Sequence, residues 1–272
     1  VFHDGEPLLV ALVDGSGVPV RGATELGEVT PSSFLAEPEL DFKGALPQSE
    51  LVFRPVVPRP GKVICVGLNY AEHAAEAQRS VPDYPALFAK FASTLTGPYD
   101  DVTCPPESSA VDYEGELAIV IGKACRRVSS SDIGDVVAGV TVANDVTMRD
   151  FQNFTHQWLP GKAWEASTPI GPALVTLDEL GDLSDLRLQT SVNGLVVQDT
   201  SIGSMVRDVA ALISTISVFT ALEPGDLILT GTPSGVGFRR EPPLLLGPGD
   251  RVSVEISGVG RLENRFVADP TG

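Results

Sequence analysis

The sequence predicts a mixed, β-dominated α+β protein, with a small N-terminal domain over 1–57 ahead of a larger domain over 58–272. Three observations predict it. Short apolar runs recur between turn signals such as Asn193-Gly194, Pro224-Gly225-Asp226 and Pro248-Gly249-Asp250. One stretch, 205–221, reads as the longest helix. The Pro-rich piece Arg54-Pro55-Val56-Val57-Pro58-Arg59-Pro60-Gly61 can continue neither a helix nor a central strand, so it marks the boundary.

Taken in order, 8–13 and 18–20 flank Asp14-Gly15-Ser16-Gly17, a hairpin-like turn signal, and a polar stretch leads on to Leu51-Val52-Phe53. Beyond the connector, 62–66 is a short β-rich run ending at Gly67-Leu68-Asn69, and the Ala-rich 70–78 has helical character. Residues 111–121 read as an acidic strand that turns apolar at Ala118 and Val120. Ser129 to Asp132 can cap a short helix, and the apolar run 136–143 breaks at Asn144-Asp145, which puts Asp145 at a strand end. A hairpin follows, 186–192 and 195–198 about a type I′ Asn193-Gly194 turn. After the 205–221 helix, each Pro-Gly-Asp turn leads into a strand, 227–230 and 251–256.

The 272 residues include 19 Lys and Arg against 36 Asp and Glu, a net charge of −17 that repels nucleic acid phosphates and anionic membrane surfaces. A nucleic acid partner is therefore not expected. An anionic substrate would need a metal ion or a local basic cluster to reverse that field. Cys65, Cys104 and Cys125 form no C-x-x-C pair and read as reduced and structural. No apolar run approaches the roughly 20 residues of a membrane span, and Val1-Phe2-His3-Asp4-Gly5-Glu6 carries no basic leader, so a soluble cytoplasmic protein is expected.

Asp112, Glu114 and Glu116 stand at i, i+2 and i+4, which on one extended strand puts three carboxylates on one face, roughly 6.6 Å apart. No Lys or Arg alternates with them there, so the face is either solvated or a cation site. Asp145 joins Glu114 and Glu116 in an all-oxygen set with neither Cys nor His nearby in sequence, a choice suited to Mg²⁺ first and Mn²⁺ second. His73 and Glu76, three apart on the expected helix, can form a carboxylate-oriented imidazole base, or be a chance pair on a solvated face. Lys162 follows Gly161 in a loop; with Arg149 and Gln152 it can supply positive charge and donors to an anionic or enolate oxygen. The loop Gly231-Thr232-Pro233-Ser234-Gly235-Val236-Gly237 could offer backbone N–H groups and the Thr232 hydroxyl to a substrate carboxylate. It is not a nucleotide loop, since Phe238-Arg239-Arg240 follows in place of Lys-Ser/Thr, and Glu241-Pro242-Pro243 prevents a helix.

Several motifs agree in order: Val66-Gly67-Leu68-Asn69-Tyr70-Ala71-Glu72-His73, Phe88-Ala89-Lys90 with Ser93-Thr94, Asp112-Tyr113-Glu114-Gly115-Glu116-Leu117, Ala143-Asn144-Asp145-Val146-Thr147-Met148-Arg149-Asp150, Gly161-Lys162, and Leu229-Thr230-Gly231-Thr232-Pro233-Ser234-Gly235-Val236-Gly237. Together, over about 62–266, they resemble the fumarylacetoacetate hydrolase family. The resemblance implies a β-sandwich roll core, usually a homodimer, with Mg²⁺ or Mn²⁺ on Glu114, Glu116 and Asp145. It further implies that His73 and Glu76 activate water, that Lys162 stabilises developing negative charge, and that Arg149, Gln152, Gly231 and Thr232 serve the substrate. Asp112 is expected behind the ligands, Trp164 stands where many relatives carry Phe and could reshape the pocket, and the stretch before Pro85, with Arg79, corresponds to a lid in relatives. The expected activity is Mg²⁺-dependent hydrolysis of a C–C bond in a β-diketo or 2-oxo acid such as an acylpyruvate or fumarylpyruvate. The alternatives are oxaloacetate decarboxylase, the 2-hydroxyhepta-2,4-diene-1,7-dioate isomerase or 5-oxopent-3-ene-1,2,5-tricarboxylate decarboxylase of aromatic catabolism, and, in another class, a non-catalytic metal-binding module.

Overall fold

The computed structural model describes residues 1–23 and 39–270, so 24–38 of the expected N-terminal domain lie outside the described residues. In that N-terminal part, Val10–Val13 pairs antiparallel with Ser16–Pro19, which pairs in turn with Leu46–Pro47. Both turn residues, Asp14 and Gly15, take positive φ (48° and 76°), as a two-residue hairpin turn of the I′ class demands.

The rest is mostly strand. A seven-stranded sheet runs in the order Ala86–Lys90, Val63–Gly67, Leu227–Leu229, Gly115–Ile121, Val137–Asn144, Thr168–Val175, Leu95–Thr96. A five-stranded sheet runs Leu195–Ser201, Arg187–Val192, Arg251–Ile256, Gly260–Ala268, Val102–Cys104. The main core lies between them: Leu117, Ile119 and Ile121 meet Leu188, Val254 and Phe266, with Leu212, Ile213 and Ile216 of the helix closing one side. Alternate residues of the same strand, Ala118 and Val120, enter a second apolar cluster with Cys65, Leu229 and Ile170. Burial on both faces is why this strand reads as an unbroken apolar run after its acids. Gly115 is required here, because a Cβ at that position would lie 2.2 Å from Thr190 Oγ1.

Two elements depart from expectation. The long helix spans Val209–Phe219 rather than 205–221, because Asp208 caps it by accepting from the Ala211 N–H at 2.7 Å. The acidic strand is broken: Val111–Asp112 pairs with Thr147–Met148, and a new strand begins only at Gly115. Asp112, Glu114 and Glu116 therefore do not form a ladder along one strand face. Among the described residues no helix is long and apolar enough to cross a membrane.

The pairing pattern collects the chemistry at one end of the large sheet. Gly115–Ile121 runs antiparallel to Val137–Asn144 with Gly115 opposite Asn144, so Asp145 leaves its strand beside Glu114 and donates its N–H to the Glu114 carbonyl at 2.8 Å. Leu227–Leu229 also runs antiparallel to the acidic strand, with Leu229 opposite Ala118, so Gly231 lands against Glu116. Val63–Gly67 lies parallel to Leu227–Leu229 and delivers the Ala71–Glu76 helix to the same end. Thr168–Val175 starts at that end too, with Ile170 opposite Ala143, which brings the short Leu159–Lys162 helix there.

Candidate active site

The convergence forms an open cleft of about 680 Å³, counting the solvent at its mouth, lined by His73, Glu114, Glu116, Arg149, Gln152 and Lys162 among others. Its floor is a buried charge cluster. Glu114, Glu116 and Asp145 each turn a carboxylate oxygen to within 4.8 Å of the others. The cations that the sequence did not place beside the acids arrive from other elements. Lys162 Nζ bridges Glu114 Oε2 (2.6 Å) and Asp145 Oδ2 (2.7 Å), Lys90 Nζ meets Asp145 Oδ1 (2.6 Å), and Arg149 Nη2 lies 2.7 Å from Glu114 Oε1. Arg149 also donates from Nε to Asp112 Oδ2 at 2.8 Å and from Nη1 to Gln152 Oε1 at 3.1 Å. Lys162 sits in a short helix rather than a loop, and Gly161 lets that helix press on its neighbour, since a Cβ there would lie 2.5 Å from the Gln152 nitrogen.

The electrostatics follow from these contacts. Burial alone would raise the Glu114 carboxyl, but Lys162, Arg149 and His73 outweigh it and hold the group at about 2. Burial would likewise strip the Lys162 ammonium of its proton, yet Asp145 and Glu114 raise its pKa, so it stays charged. Glu116 is different. It has no cation partner among the described residues, and accepts one hydrogen bond, from the Gly231 N–H at 2.8 Å. Burial first, then Asp145 and Glu114, push its carboxyl well above the ordinary range. Four buried acids, counting Asp112, face three buried cations, Lys90, Arg149 and Lys162, so acids are in surplus by one, and ionising Glu116 leaves a negative charge uncompensated. An all-oxygen donor set with that surplus fits a hard divalent cation.

His73 and Glu76 occupy the helix beside this floor. His73 Nδ1 lies 3.2 Å from Glu76 Oε2, and Glu76 Oε1 accepts from the Gly235 N–H at 3.0 Å. Both are more buried than a solvated pair, with side chains 12% and 21% exposed. An Nδ1–H directed at the carboxylate leaves Nε2 as the free lone pair.

The glycine-rich loop behaves otherwise than expected. Its N–H groups serve the protein's own acids: Gly231 that of Glu116, Gly235 that of Glu76, and Gly237 that of Asp112 at 2.8 Å. The protein's own carboxylates take these donors, so the Gly231 N–H is engaged by Glu116, while Thr232 lines the cleft. The Thr232 hydroxyl is likewise engaged, donating to the Gly115 carbonyl at 2.9 Å and accepting from Gln198 Nε2 at 2.8 Å. Trp164 does not shape the cleft; its indole donates to the Pro160 carbonyl at 2.7 Å and packs on Phe151. Trp158 lines the cleft instead, packed on Gly67 so closely that a Cβ there would lie 2.4 Å from the ring.

Sequence reasoning gave Lys90 and Gln198 no role. Lys90 left two signals, its place in the Phe88-Ala89-Lys90 motif and an ammonium closing the otherwise apolar strand Ala86–Lys90. Gln198 left none, because its contacts with the Gly115 N–H and Thr232 join elements distant in sequence.

Comparison with known proteins bears on the family and the fold. The family model described as fumarylacetoacetate hydrolase, C-terminal, matches residues 62–267. A Rattus norvegicus protein described as a mitochondrial oxaloacetate tautomerase is 47% identical over 223 residues, 82% of this chain and 71% of that one. Among solved structures, the 2-hydroxyhepta-2,4-diene-1,7-dioate isomerase of Mycobacterium marinum superposes with a TM-score of 0.79 at 34% identity, covering 94% of this chain and 88% of that one. A fumarylacetoacetate hydrolase of Exiguobacterium antarcticum gives 0.85 at 33% identity, covering 98% and 97%.

Proposed function

This chain belongs to the fumarylacetoacetate hydrolase family, and from that premise we propose that it is an enzyme interconverting the keto and enol forms of a 2-oxo acid, oxaloacetate first among them. One observation carries the reading: a carboxylate-oriented imidazole, His73 with Glu76, lines the same cleft as Glu114 and Glu116. The relatives described as a tautomerase and an isomerase favour moving a proton over breaking a bond.

Glu114, Glu116 and Asp145 would hold a divalent cation, Mg²⁺ with Mn²⁺ as the alternative. When bound it would act as a Lewis acid towards the oxygens of the 2-oxo acid. Two groups on the floor are unfit as the base, since Lys162 remains an ammonium and Glu114 is paired with Lys162 and Arg149. His73 Nε2 therefore takes a proton from C3 of the keto acid, and the imidazolium so formed delivers that proton to the C2 oxygen; the reverse path moves it from the enol O–H back to C3. Glu76 holds the ring and offsets the imidazolium charge as it forms. The Lys162 ammonium, with Gln152 and Arg149, stabilises negative charge developing on the substrate oxygens. We further read 1–57 as the appended domain, 58–272 as the catalytic one, and the assembly as a homodimer.

The test follows the ultraviolet absorbance of oxaloacetate enol on mixing with protein, in Mg²⁺ and in excess chelator. Metal-dependent relaxation to the keto–enol equilibrium, faster than buffer and without pyruvate formation, is expected. Relaxation at the buffer rate with metal-loaded protein would sink the reading. A second reading, C–C hydrolysis, draws on the same His73: Nε2 takes the proton of a water that attacks the distal carbonyl of an acylpyruvate. Its mark is stoichiometric pyruvate from an acylpyruvate, and pyruvate from oxaloacetate would instead identify decarboxylation.

A further inference from the structure

Four cationic side chains line the cleft, and they divide into two pairs. Arg149 and Lys162 are buried on the floor and committed to carboxylates. Arg79 and Arg239 are exposed at the mouth, and among the described residues neither has a carboxylate partner. Each guanidinium lies instead beside an aromatic ring, Arg79 at 5.8 Å from the Trp158 ring and Arg239 at 5.3 Å from that of Phe238. In a chain carrying 36 acids against 19 cations, two unpaired guanidiniums aimed into one cleft are a specific feature.

The backbone fixes both positions. The Ala71–Glu76 helix ends with Gln78 in the left-handed region (φ 56°); its N–H donates to the Ala75 carbonyl at 2.9 Å, and the Arg79 N–H donates to the Ala74 carbonyl at 2.8 Å. That pair of bonds is a Schellman close, which turns the chain sharply where Arg79 follows. Arg207 holds the next stretch by donating from Nη2 to the Pro82 carbonyl at 2.5 Å. On the other side, Asp112 accepts from the Gly237 and Phe238 N–H groups at 2.8 and 3.0 Å and fixes the Gly237–Arg239 turn. The adjacent Arg240 is spent on the Val197 carbonyl and the Tyr113 hydroxyl.

We propose that Arg79 and Arg239 form a second anion subsite at the cleft mouth, which selects 2-oxo acids bearing a distal carboxylate. This rests on the 2-oxo acid reading of the floor and deepens it, because the floor recognises only the shared 2-oxo acid end. Contact with a ring face leaves the planar donors of each guanidinium free for a carboxylate.

The test measures, by calorimetry on the metal-loaded full chain, binding of 2-oxoglutarate and of 2-oxopentanoate, the same five-carbon chain without the distal charge. The variants are Arg79→Gln, Arg239→Gln, their double, and the charge-keeping Arg79→Lys. Each Gln is expected to weaken 2-oxoglutarate on the order of tenfold, with 2-oxopentanoate held within about threefold, and Arg79→Lys to recover part of the loss. The double variant should bind the two acids alike. If wild type binds both equally, or the double variant weakens both equally or neither, the subsite is overturned while the 2-oxo acid reading stands. If metal-loaded wild type binds neither acid, the subsite is overturned, and the 2-oxo acid reading fails with it only where oxaloacetate enol also relaxes at the buffer rate.

Discussion

Asp112 Oδ2 accepts from Arg149 Nε at 2.8 Å, with the Asp112 side chain fully buried and that of Arg149 nearly so. The same carboxylate takes the N–H groups of Tyr113, Gly237 and Phe238. One side chain thus ties a floor cation to the turn that carries Arg239. Asp112→Ala would leave the buried Arg149 Nε and three backbone donors unpartnered, so a loss of about 3–5 kcal/mol is expected in urea unfolding. Asp112→Asn, whose amide oxygen still accepts, should lose less.

His73→Ala removes the proposed base without touching a carboxylate oxygen of the floor. Turnover should fall about 10²- to 10⁴-fold. Metal affinity by calorimetry should stay within about threefold, because the acids keep their geometry. Glu76→Gln, which frees the ring to reorient and removes its counter-charge, should lose less than His73→Ala. A drop in metal binding that parallels the drop in turnover would assign His73 to the metal site instead.

Local signals were read well and long-range ones were not. The Asn193-Gly194 hairpin and the 251–256 strand appear because turn chemistry and alternation are properties of adjacent residues. Glu114, Glu116 and Asp145 converge as their residue types suggested, though by a different route. The expected ladder fails at Tyr113–Glu114, where the chain changes partner from Thr147–Met148 to Val137–Asn144. Nothing in the alternation of acids encodes that switch. The role of Lys90 was hidden for the same reason, since it lies 55 residues from Asp145 along the chain, and Lys162, expected to face a substrate oxygen, also bonds Glu114 and Asp145. The donors of the glycine-rich loop were assigned to substrate because their acceptors, Glu116, Glu76 and Asp112, are each more than 100 residues upstream.

Gly161→Ala should damage both stability and activity. Its Cβ would lie 2.5–2.6 Å from Gln152 backbone and side-chain atoms, so the two short helices bearing Gln152 and Lys162 must part. Overpacking of this kind costs about 1–3 kcal/mol. Since Lys162 bridges two floor acids, kcat/KM should fall as well, while the bulk of the protein remains folded at room temperature. Gly134→Ala, with nothing within 4 Å of the added Cβ, is the control expected to be near neutral on both counts.

Glu116→Gln separates the charge of the floor from its shape. The Glu116 carboxyl is raised well above its ordinary value of 4.5 by burial, then by Asp145 and Glu114. A raised acid keeps its proton in the folded chain after the unfolded chain has lost it. Its contribution to stability is therefore fully present below about pH 4.5 and is lost as pH rises through the folded-state value. In chelator, wild type should lose stability with rising pH across that window, and Glu116→Gln should remove this component and melt higher at pH 8. Metal reverses the order, because it binds the ionised carboxylate: at a hundredfold excess over Kd it adds about 2.7 kcal/mol, or about 5–10 °C, to the wild type. Thermal melts in Mg²⁺ and in chelator check both signs. A Glu116→Gln protein that still gains the full metal-dependent increase would remove Glu116 from the ligand set.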